Sequence, residues 1–271
     1  MGFRSFLKQV FVSEELDAQL SNLSKSVGSL GYDPWGYNVD ANKVGIALIR
    51  GLYEKYFRVE AKGIENVPSE GPVLLVANHS GQLPLDGVFI AYAMANRKNN
   101  PRLPRAMIER FFPKVPVIGT LLNQVGAVLG DPVNCSKMLD NGELVIVFPE
   151  GVRGSGKPFK HRYKLQRFGN GFMHLAMQYN TPVVPVGVVG CEETIPSVGN
   201  IKPLAKMLGI PYVSVALPFV FPARVTINFG EPISFDSKIR DEEQVTERVE
   251  IVKEKINQLI QKGLSERKSI F

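Results

Sequence analysis

The feature that most constrains the fold is a regular alternation of short apolar runs with helix-like stretches. The apolar runs are typical of buried strands and cover residues 73–77, 126–129, 144–148, 183–189 and 225–229. Helical patterns separate them, near residues 87–96, 118–124, 168–179 and 242–261. Continuous apolar strands that alternate with helices are typical of a parallel sheet covered on both faces. We therefore predict an α/β fold with a largely parallel central sheet flanked by helices.

The first part of the chain predicts an N-terminal amphipathic helical extension to this sheet. Residues 13–27 place their leucines on one face of a helix, and residues 1–11 interleave aromatic with cationic side chains. Residues 1–11 lack the continuous apolar core of a signal peptide. Such an extension either lies on a lipid surface or packs on the body of the domain. We expect residues 1–58 to form this possibly membrane-apposed segment and residues 59–271 to form the α/β domain.

The charge of the chain favours anionic partners. Lysine and arginine number 32 against 26 acidic residues, which gives a net charge of +6 and a pI of about 9.2. Phospholipid headgroups, phosphorylated small molecules or an acidic carrier fit this balance. The surplus is too small and too scattered for nucleic acid, and no stretch has the kind of aromatic and basic interleaving that single-stranded nucleic-acid binders use, so we expect no nucleic-acid partner.

The expected location follows from the cysteines and from the longest uncharged stretches. Cys135 and Cys191 are too few for a disulfide framework and fit a reducing compartment. The uncharged stretches 115–130 and 207–223 are short for a membrane span and contain prolines. We therefore expect a cytoplasmic protein that lies on the inner face of a membrane.

A histidine and an aspartate follow the first apolar run. The run delivers Asn78 and His79 to a loop, and Asp86 opens the next helical pattern. A carboxylate can fix the tautomer of an imidazole and stabilise the imidazolium that forms when the ring takes a proton. Since ligands gather at the carboxyl ends of parallel strands, His79 is expected beside the loop 149–156. By itself, the pair is a weak signal.

That second loop belongs to the stretch VIVFPEGVRGSGK, residues 145–157. Its glycines and Lys157 match the spacing of a phosphate-binding P-loop, but Pro158 stands where a serine or threonine should bind magnesium. We therefore favour a flexible glycine loop that presents Glu150, Arg153 and Lys157 to a hydroxylated or phosphorylated ligand. A solvated basic loop is the alternative. The histidines lack metal-ligand spacing, so we predict no metal.

Several motifs together resemble a known family. The pair NH at 78–79 with Asp86, FPEG at 148–151 and VVPVG at 183–187 resemble, in order, blocks one, three and four of the glycerolipid acyltransferase superfamily. That superfamily includes the 1-acylglycerol-3-phosphate acyltransferases. The stretches GYDPWGY, YKLQRFGNGF and PVVPVGVVGCEE resemble its lysophospholipid acyltransferase-like branch. The resemblance covers residues 31–235.

The resemblance implies transfer of a fatty acyl group to a hydroxyl of a glycerolipid or lysophospholipid. The donor would be a thioester of CoA or of an acyl carrier protein, with no further cofactor. His79 would be the general base that deprotonates the acceptor, and Asp86 would orient it. The alcohol would attack directly, without an acyl-enzyme. Taken together, the glycine loop and the resemblance predict that the substrate-binding residues are Asn78, Glu150, Gly151, Arg153 and Lys157.

The sequence departs from the family pattern in two places. Six residues separate His79 from Asp86, where the family usually has four, so we predict a loop excursion that still returns the carboxylate to the imidazole. The region matching the second block, GAVLGDP, offers Asp131 instead of an arginine that grips phosphate. Either Arg105, Arg153 or Lys157 compensates, or the acceptor carries no phosphate monoester.

Three hypotheses follow from these observations. The chain is an acyltransferase, a non-catalytic lipid-binding protein of the same fold, or an acyl-thioester hydrolase that uses water as acceptor. Retention of both His79 and Asp86 argues against the second. Burial stabilises an acyl chain by about 0.8 kcal/mol per methylene, so a deep apolar cavity is expected. The sequence leaves open the acyl length, the donor, the acceptor and the oligomeric state.

Overall fold

The computed structural model describes residues 3–23, 27–112, 117–209, 212–216, 218–236 and 241–271. Its strands are β1 (Glu60–Lys62), β2 (Val73–Ala77), β3 (Arg105–Ile108), β4 (Ala127–Leu129), β5 (Leu144–Val147), β6 (Val183–Val189), β7 (Ser197–Asn200), β8 (Ser214–Ala216) and β9 (Thr226–Phe229). Seven of them form one sheet in the order β1-β9-β6-β2-β5-β3-β4, and β7 pairs with β8 in a separate hairpin.

The large sheet is mostly parallel, which confirms the predicted α/β class. Strands β6, β2, β5, β3 and β4 run in one direction, whereas β9 is antiparallel to β6 and parallel to β1. All five predicted strands are present within one residue at either end. Strands β1 and β3 were not predicted, because Glu60, Lys62 and Arg105 interrupt their apolar pattern.

The helices are α1 (Phe3–Phe11), α2 (Glu14–Leu23), α3 (Val39–Gly51), α4 (Leu85–Ala95), α5 (Ile118–Gln124), α6 (Pro132–Asp140), α7 (Val152–Ser155), α8 (Gly171–Gln178), α9 (Cys191–Thr194), α10 (Lys202–Leu208) and α11 (Glu242–Glu266). Helices α4, α5, α8 and α11 correspond to the four predicted helical stretches. Helix α6 was not predicted, although its start is typical: the Asp131 side chain accepts a hydrogen bond from the backbone N–H of Val133, and Pro132 follows at the first position.

Strand β2 is the centre of the molecule. Its alternate side chains enter two different hydrophobic clusters, and all five are fully buried. Val73, Leu75 and Ala77 pack with residues of α4 on one face of the sheet. Leu74 and Val76 pack with residues of α8 and α11 on the other face. Because both faces are covered, the carboxyl end of β2 is a rigid support for the residues that follow it.

The N-terminal helices pack on the body of the domain. Leu16 and Leu20 of α2 are buried in a small cluster that includes Ala95 at the end of α4. Lys8 of α1 lies 3.0 Å from carboxylate oxygens of both Asp17 and Asp40, which joins α1 to α2 and α3.

Parts of the predicted extension are not described. Residues 1–2 of the aromatic and cationic stretch 1–11 and residues 24–26 of the predicted helix 13–27 lie outside the described residues, and the domain boundary at residue 58 stays a prediction. Of the uncharged stretches 115–130 and 207–223, residues 115–116, 210–211 and 217 also lie outside. Among the helices that the structure describes, none combines the length and apolar composition needed to cross a bilayer.

Candidate active site

The carboxyl ends of β2, β5 and β6 meet at one edge of the sheet, and Asn78 joins two of them. Its side-chain Nδ2 donates to the Val188 carbonyl oxygen at 3.0 Å, and the Val188 N–H donates to Asn78 Oδ1 at 2.7 Å. The amide therefore continues the pairing of β2 with β6 for one more residue and fixes the start of the loop that carries His79. A role of Asn78 in substrate binding stays a prediction.

His79 and Asp86 contact each other across the longer loop. The Nδ1–H of His79 donates to Asp86 Oδ2 at 2.7 Å, so the predicted return of the carboxylate to the imidazole is confirmed. Asp86 is fully buried in the first turn of α4. Its two oxygens also accept hydrogen bonds from the backbone N–H groups of Ser80, at 2.8 Å, and Gly87, at 2.7 Å. These bonds hold the carboxylate in one orientation toward the ring.

The loop between the two residues depends on Gly81. Its φ of 87° lies in the left-handed region, and a β-carbon there would lie 2.7 Å from the carbonyl oxygen of Cys191. Burial and then the charge of Asp86 raise the pKa of the Cys191 thiol well above its usual value. The Cys191 thiol is therefore protonated and a poor nucleophile.

The environment of His79 makes its ring a stronger base. Burial lowers the pKa of the imidazole, but the charge and hydrogen bond of Asp86 and the charges of Glu150 and Glu109 outweigh that effect, so the pKa is raised. The ring stacks on Phe148, with centroids 4.6 Å apart. Since Nδ1–H is bound to Asp86, Nε2 is the nitrogen that can accept a proton.

Glu150 and Lys157 form a buried network behind the histidine. Glu150 is fully buried, and its two oxygens accept hydrogen bonds from the backbone N–H groups of His79, at 3.0 Å, and Gln166, at 2.7 Å. Lys157 Nζ lies 4.0 Å from Glu150 Oε2 and 2.9 Å from Glu192 Oε1. In this structure both side chains connect loops, and their predicted contact with substrate stays a prediction.

The other two predicted binding residues occupy different places. The Arg153 side chain is exposed, and its Nη2 donates to the Arg167 carbonyl oxygen at 3.1 Å. Gly151 has a φ of 56° and lines the cavity described below. Sequence reasoning missed Gly154, where a β-carbon would lie 2.8 Å from the β-carbon of His79. Only a glycine leaves the histidine its present position.

An apolar cavity of about 490 Å³ opens beside His79, as predicted. Helices α3, α4, α5 and α8 and strands β3, β4 and β5 supply its walls. Its apolar lining includes Ile46, Ile49, Val88, Ala91, Ile108, Leu122, Phe148, Phe172 and Leu175. Its polar lining includes His79, Glu109 and Asp131, and sequence reasoning missed Glu109. Within the described ranges, no three His, Cys, Asp or Glu side chains are grouped to hold a metal ion.

Arg105, which the sequence analysis offered as a phosphate contact, is engaged elsewhere. It is buried between two acids: Nε donates to Glu143 Oε2 at 2.9 Å, and Nη2 forms an ion pair with Asp33. The guanidinium also lies over the ring of Tyr37, 4.7 Å from its centroid. This cluster ties the turn GYDPWGY to strand β3, so Arg105 has a structural role.

Comparison with known proteins identifies the family. The family model described as Acyltransferase matches residues 58–189, which include His79, Asp86 and Glu150. An uncharacterised protein of Mycobacterium tuberculosis strain H37Rv is 35% identical over 259 residues, covering 90% of this chain and 72% of that protein. The chain belongs to the glycerolipid acyltransferase superfamily.

Two further proteins are similar to this acyltransferase. The Bos taurus protein named DGAT1/2-independent enzyme synthesizing storage lipids is 29% identical over 210 residues, covering 75% of this chain and 60% of that protein. The crystal structure of the 1-acyl-sn-glycerophosphate acyltransferase PlsC from Thermotoga maritima has a TM-score of 0.54 at 18% identity. The structural match covers 98% of the present chain and 95% of the PlsC chain, so the two proteins share the fold.

Proposed function

We propose that this acyltransferase moves a fatty acyl group from a thioester to a hydroxyl of a glycerolipid or lysophospholipid. The observation that carries the proposal is the 2.7 Å contact of His79 Nδ1 with Asp86 Oδ2 on the wall of an apolar cavity. The cavity offers a place for the acyl chain, whose burial stabilises binding by about 0.8 kcal/mol per methylene. The name of the Bos taurus relative, which refers to storage lipids, supports a lipid ester as product.

In the proposed reaction, His79 acts as general base and then as general acid. Nε2 takes the proton of the acceptor hydroxyl while the hydroxyl oxygen attacks the carbonyl carbon of the thioester. Asp86 stabilises the imidazolium that results. The tetrahedral intermediate then expels the sulfur, which receives the proton from the imidazolium. The products are an ester and a thiol, and no acyl-enzyme is needed.

A set of exposed cations supports a donor with negative charge. The segment from residue 153 to residue 167, which we call the basic loop, begins two residues after the FPEG motif ends. Its exposed basic residues are Arg153, Lys160, Arg162, Lys164 and Arg167. The phosphates of CoA and the acidic surface of a carrier protein both complement such a loop.

Helix α5 supports attachment to a membrane surface. Ile118 and Leu121 are exposed apolar residues on this helix, and Val125, directly after its end, is also exposed. Leu122 and Val125 line the cavity. An exposed apolar strip beside the cavity would let a lipid acceptor enter from the bilayer. We therefore propose that the protein is cytoplasmic and binds the inner face of the membrane through this helix, which vesicle flotation of wild type and Leu121→Asp would test.

The activity can be tested with the purified full chain and palmitoyl-CoA. The acceptor panel is glycerol 3-phosphate, lysophosphatidic acid, lysophosphatidylcholine and monooleoylglycerol, and products are identified by mass. We expect one class of acceptor to yield an acylated lipid together with an equal amount of free CoA. Thiol release that needs no acceptor would instead indicate a hydrolase. Lipid binding without any turnover would indicate a non-catalytic protein.

A further inference from the structure

The charged groups on the cavity wall are acidic. Among the described residues that line the cavity, Glu109 and Asp131 carry carboxylates, and none is a lysine or an arginine. The Glu109 carboxylate lies against Gly151, where a β-carbon would be 2.7 Å from Oε1. The acids whose charges act on His79 are Asp86, Glu150 and Glu109. A ligand that reaches the histidine therefore enters a negative field.

The nearby cations are engaged in other contacts. Lys157 is bound to Glu192, and Arg105 is held between Asp33 and Glu143. Arg153 lies outside the described cavity lining and its side chain is exposed. Among the described residues, a further cation close to the cavity is Arg110, whose side chain is 75% exposed and lies 3.7 Å from Asp131. Three cations were considered as replacements for the family's phosphate-binding arginine, namely Arg105, Arg153 and Lys157. None of them lines the described cavity.

This arrangement has a consequence for the acceptor. In lysophosphatidic acid, the free hydroxyl and the phosphate are on adjacent carbons, so a hydroxyl at His79 brings the phosphate into the cavity that His79 and Glu109 both line. Bringing a phosphate out of water beside carboxylates is unfavourable twice over, through lost solvation and through repulsion of like charges. The second hydroxyl of a neutral glyceride can instead donate a hydrogen bond to the Glu109 carboxylate.

We infer that the acceptor of this enzyme is an uncharged glyceride with a free hydroxyl, and that Glu109 determines this preference. The inference rests on the proposed function, because it names the alcohol that His79 deprotonates. It assigns Glu109 two effects: repulsion of phosphate-bearing acceptors and binding of a neutral hydroxyl next to the reacting one.

The test compares two acceptors under identical conditions. The full chain is assayed with palmitoyl-CoA and either monooleoylglycerol or lysophosphatidic acid in the same mixed micelles. We expect kcat/KM to favour the glyceride by about 100-fold or more, because like-charge juxtaposition in a site of low polarity is costly. Glu109→Gln keeps the shape of the side chain and removes its charge, so it should narrow this ratio by about tenfold. Glu247→Gln, an exposed change on α11, is the matched control and should leave the ratio unchanged.

The possible results of this assay distinguish the acceptor preference, the role of Glu109 and the proposed acyl transfer. Equal or faster acylation of lysophosphatidic acid by the wild type would overturn the inference and leave the proposed acyl transfer intact. If Glu109→Gln left the ratio of the kcat/KM values for the two acceptors unchanged, Glu109 would not be the cause of the preference. Selective loss of lysophosphatidic acid turnover in Arg110→Gln would show that Arg110 binds phosphate and would also overturn the inference. If neither lipid were acylated while another acceptor of the panel was, the inference would fail and acyl transfer would stand; only a lack of turnover with every acceptor of the panel would refute the proposed function.

Discussion

His79 Nδ1 lies 2.7 Å from Asp86 Oδ2 although six residues separate the two in the sequence. The extra length is absorbed in the loop at Gly81, whose left-handed conformation lets the chain turn against Cys191. The carboxylate is then fixed by backbone N–H groups and by its place in the first turn of α4, where the helix dipole favours an acid. A loop of six intervening residues, two more than the family usually has, thus still pairs the imidazole with the carboxylate.

The raised pKa of His79 predicts how the rate depends on pH. The protonated ring cannot act as a base, so kcat/KM should rise with pH and level off above the folded pKa, which lies above the ordinary value of 6.5. Asp86→Asn removes the charge that opposes the effect of burial. In that variant, the inflection should move to lower pH and the maximal rate should fall by about 1,000-fold. A pH–rate profile of wild type and variant measures the inflection and the maximal rate. Inflections at the same pH in the two proteins would show that Asp86 does not raise the pKa of His79.

The raised pKa of His79 also makes the free energy of unfolding depend on pH. Because the folded pKa is raised, the stabilising contribution of His79 is fully present below the unfolded value near 6.5 and is lost as pH rises through the folded pKa. The free energy of unfolding of His79→Gln should therefore approach that of wild type at high pH. Urea titrations at several pH values measure this difference, and a gap that widened with pH would contradict the assignment.

Gly154 is predicted to be required for the position of the histidine. In Gly154→Ala, the new methyl group would lie 2.8 Å from His79 Cβ and 2.9 Å from Glu150 Cβ, so the ring must move. A displaced base should lower kcat by about 100-fold. The matched control is Gly51→Ala in helix α3, where the new methyl group meets no atom within 4 Å apart from its chain neighbours and the backbone of its own helix. The control should keep full activity and gain up to about 1 kcal/mol of stability. Equal activities of the two variants would refute the steric argument.

Arg105 is predicted to stabilise the fold. Arg105→Met leaves the carboxylates of Asp33 and Glu143 buried without their shared cation, which should lower the free energy of unfolding by about 3–5 kcal/mol. Arg110→Met removes an exposed cation and should change it by less than about 0.5 kcal/mol. Chemical denaturation of both variants measures the two values. A loss below about 1 kcal/mol in Arg105→Met would indicate a weaker cluster than the structure shows.

The acyl chain is predicted to occupy the cavity along helix α4. Ala91 lines the cavity five residues beyond Asp86, or about 7.5 Å along the helix axis. Ala91→Phe should fill that position, abolish turnover of palmitoyl-CoA and leave turnover of a short-chain acyl-CoA. Leu48→Phe, an exposed change on α3, is the control. A chain-length profile of each variant checks this, and an unchanged profile in Ala91→Phe would place the chain elsewhere.

The central strands and the position of the His79–Asp86 pair could be predicted because their signals are local. Strands β2 and β6 are continuous apolar runs since both of their faces are covered, and His79 follows one of them directly. Strand β3 was missed because Arg105 interrupts its pattern, and that charge is neutralised by Asp33, 72 positions earlier. Likewise, nothing near Glu109 in the sequence indicates that it lines a cavity. Its importance depends on packing between distant segments.

The sequence predicted which polar residues belong to the buried network, but not which groups they bind. The sequence indicated that Asn78 and Glu150 belong to the site, but their partners are backbone groups of Val188 and Gln166, 110 and 16 positions away. Side-chain bonds to distant backbone groups leave no periodic signal in a sequence. The structure was therefore needed to show that these polar residues brace the loops around His79.

The most direct test of the account is the rate of lipid ester formation by His79→Ala. The full chain and the variant are assayed with palmitoyl-CoA and the preferred acceptor, and circular dichroism confirms that both are folded. We expect kcat to fall by at least about 100-fold, because a general base contributes that much or more. A folded His79→Ala protein that forms the ester at the rate of wild type would contradict the role of His79 as the base.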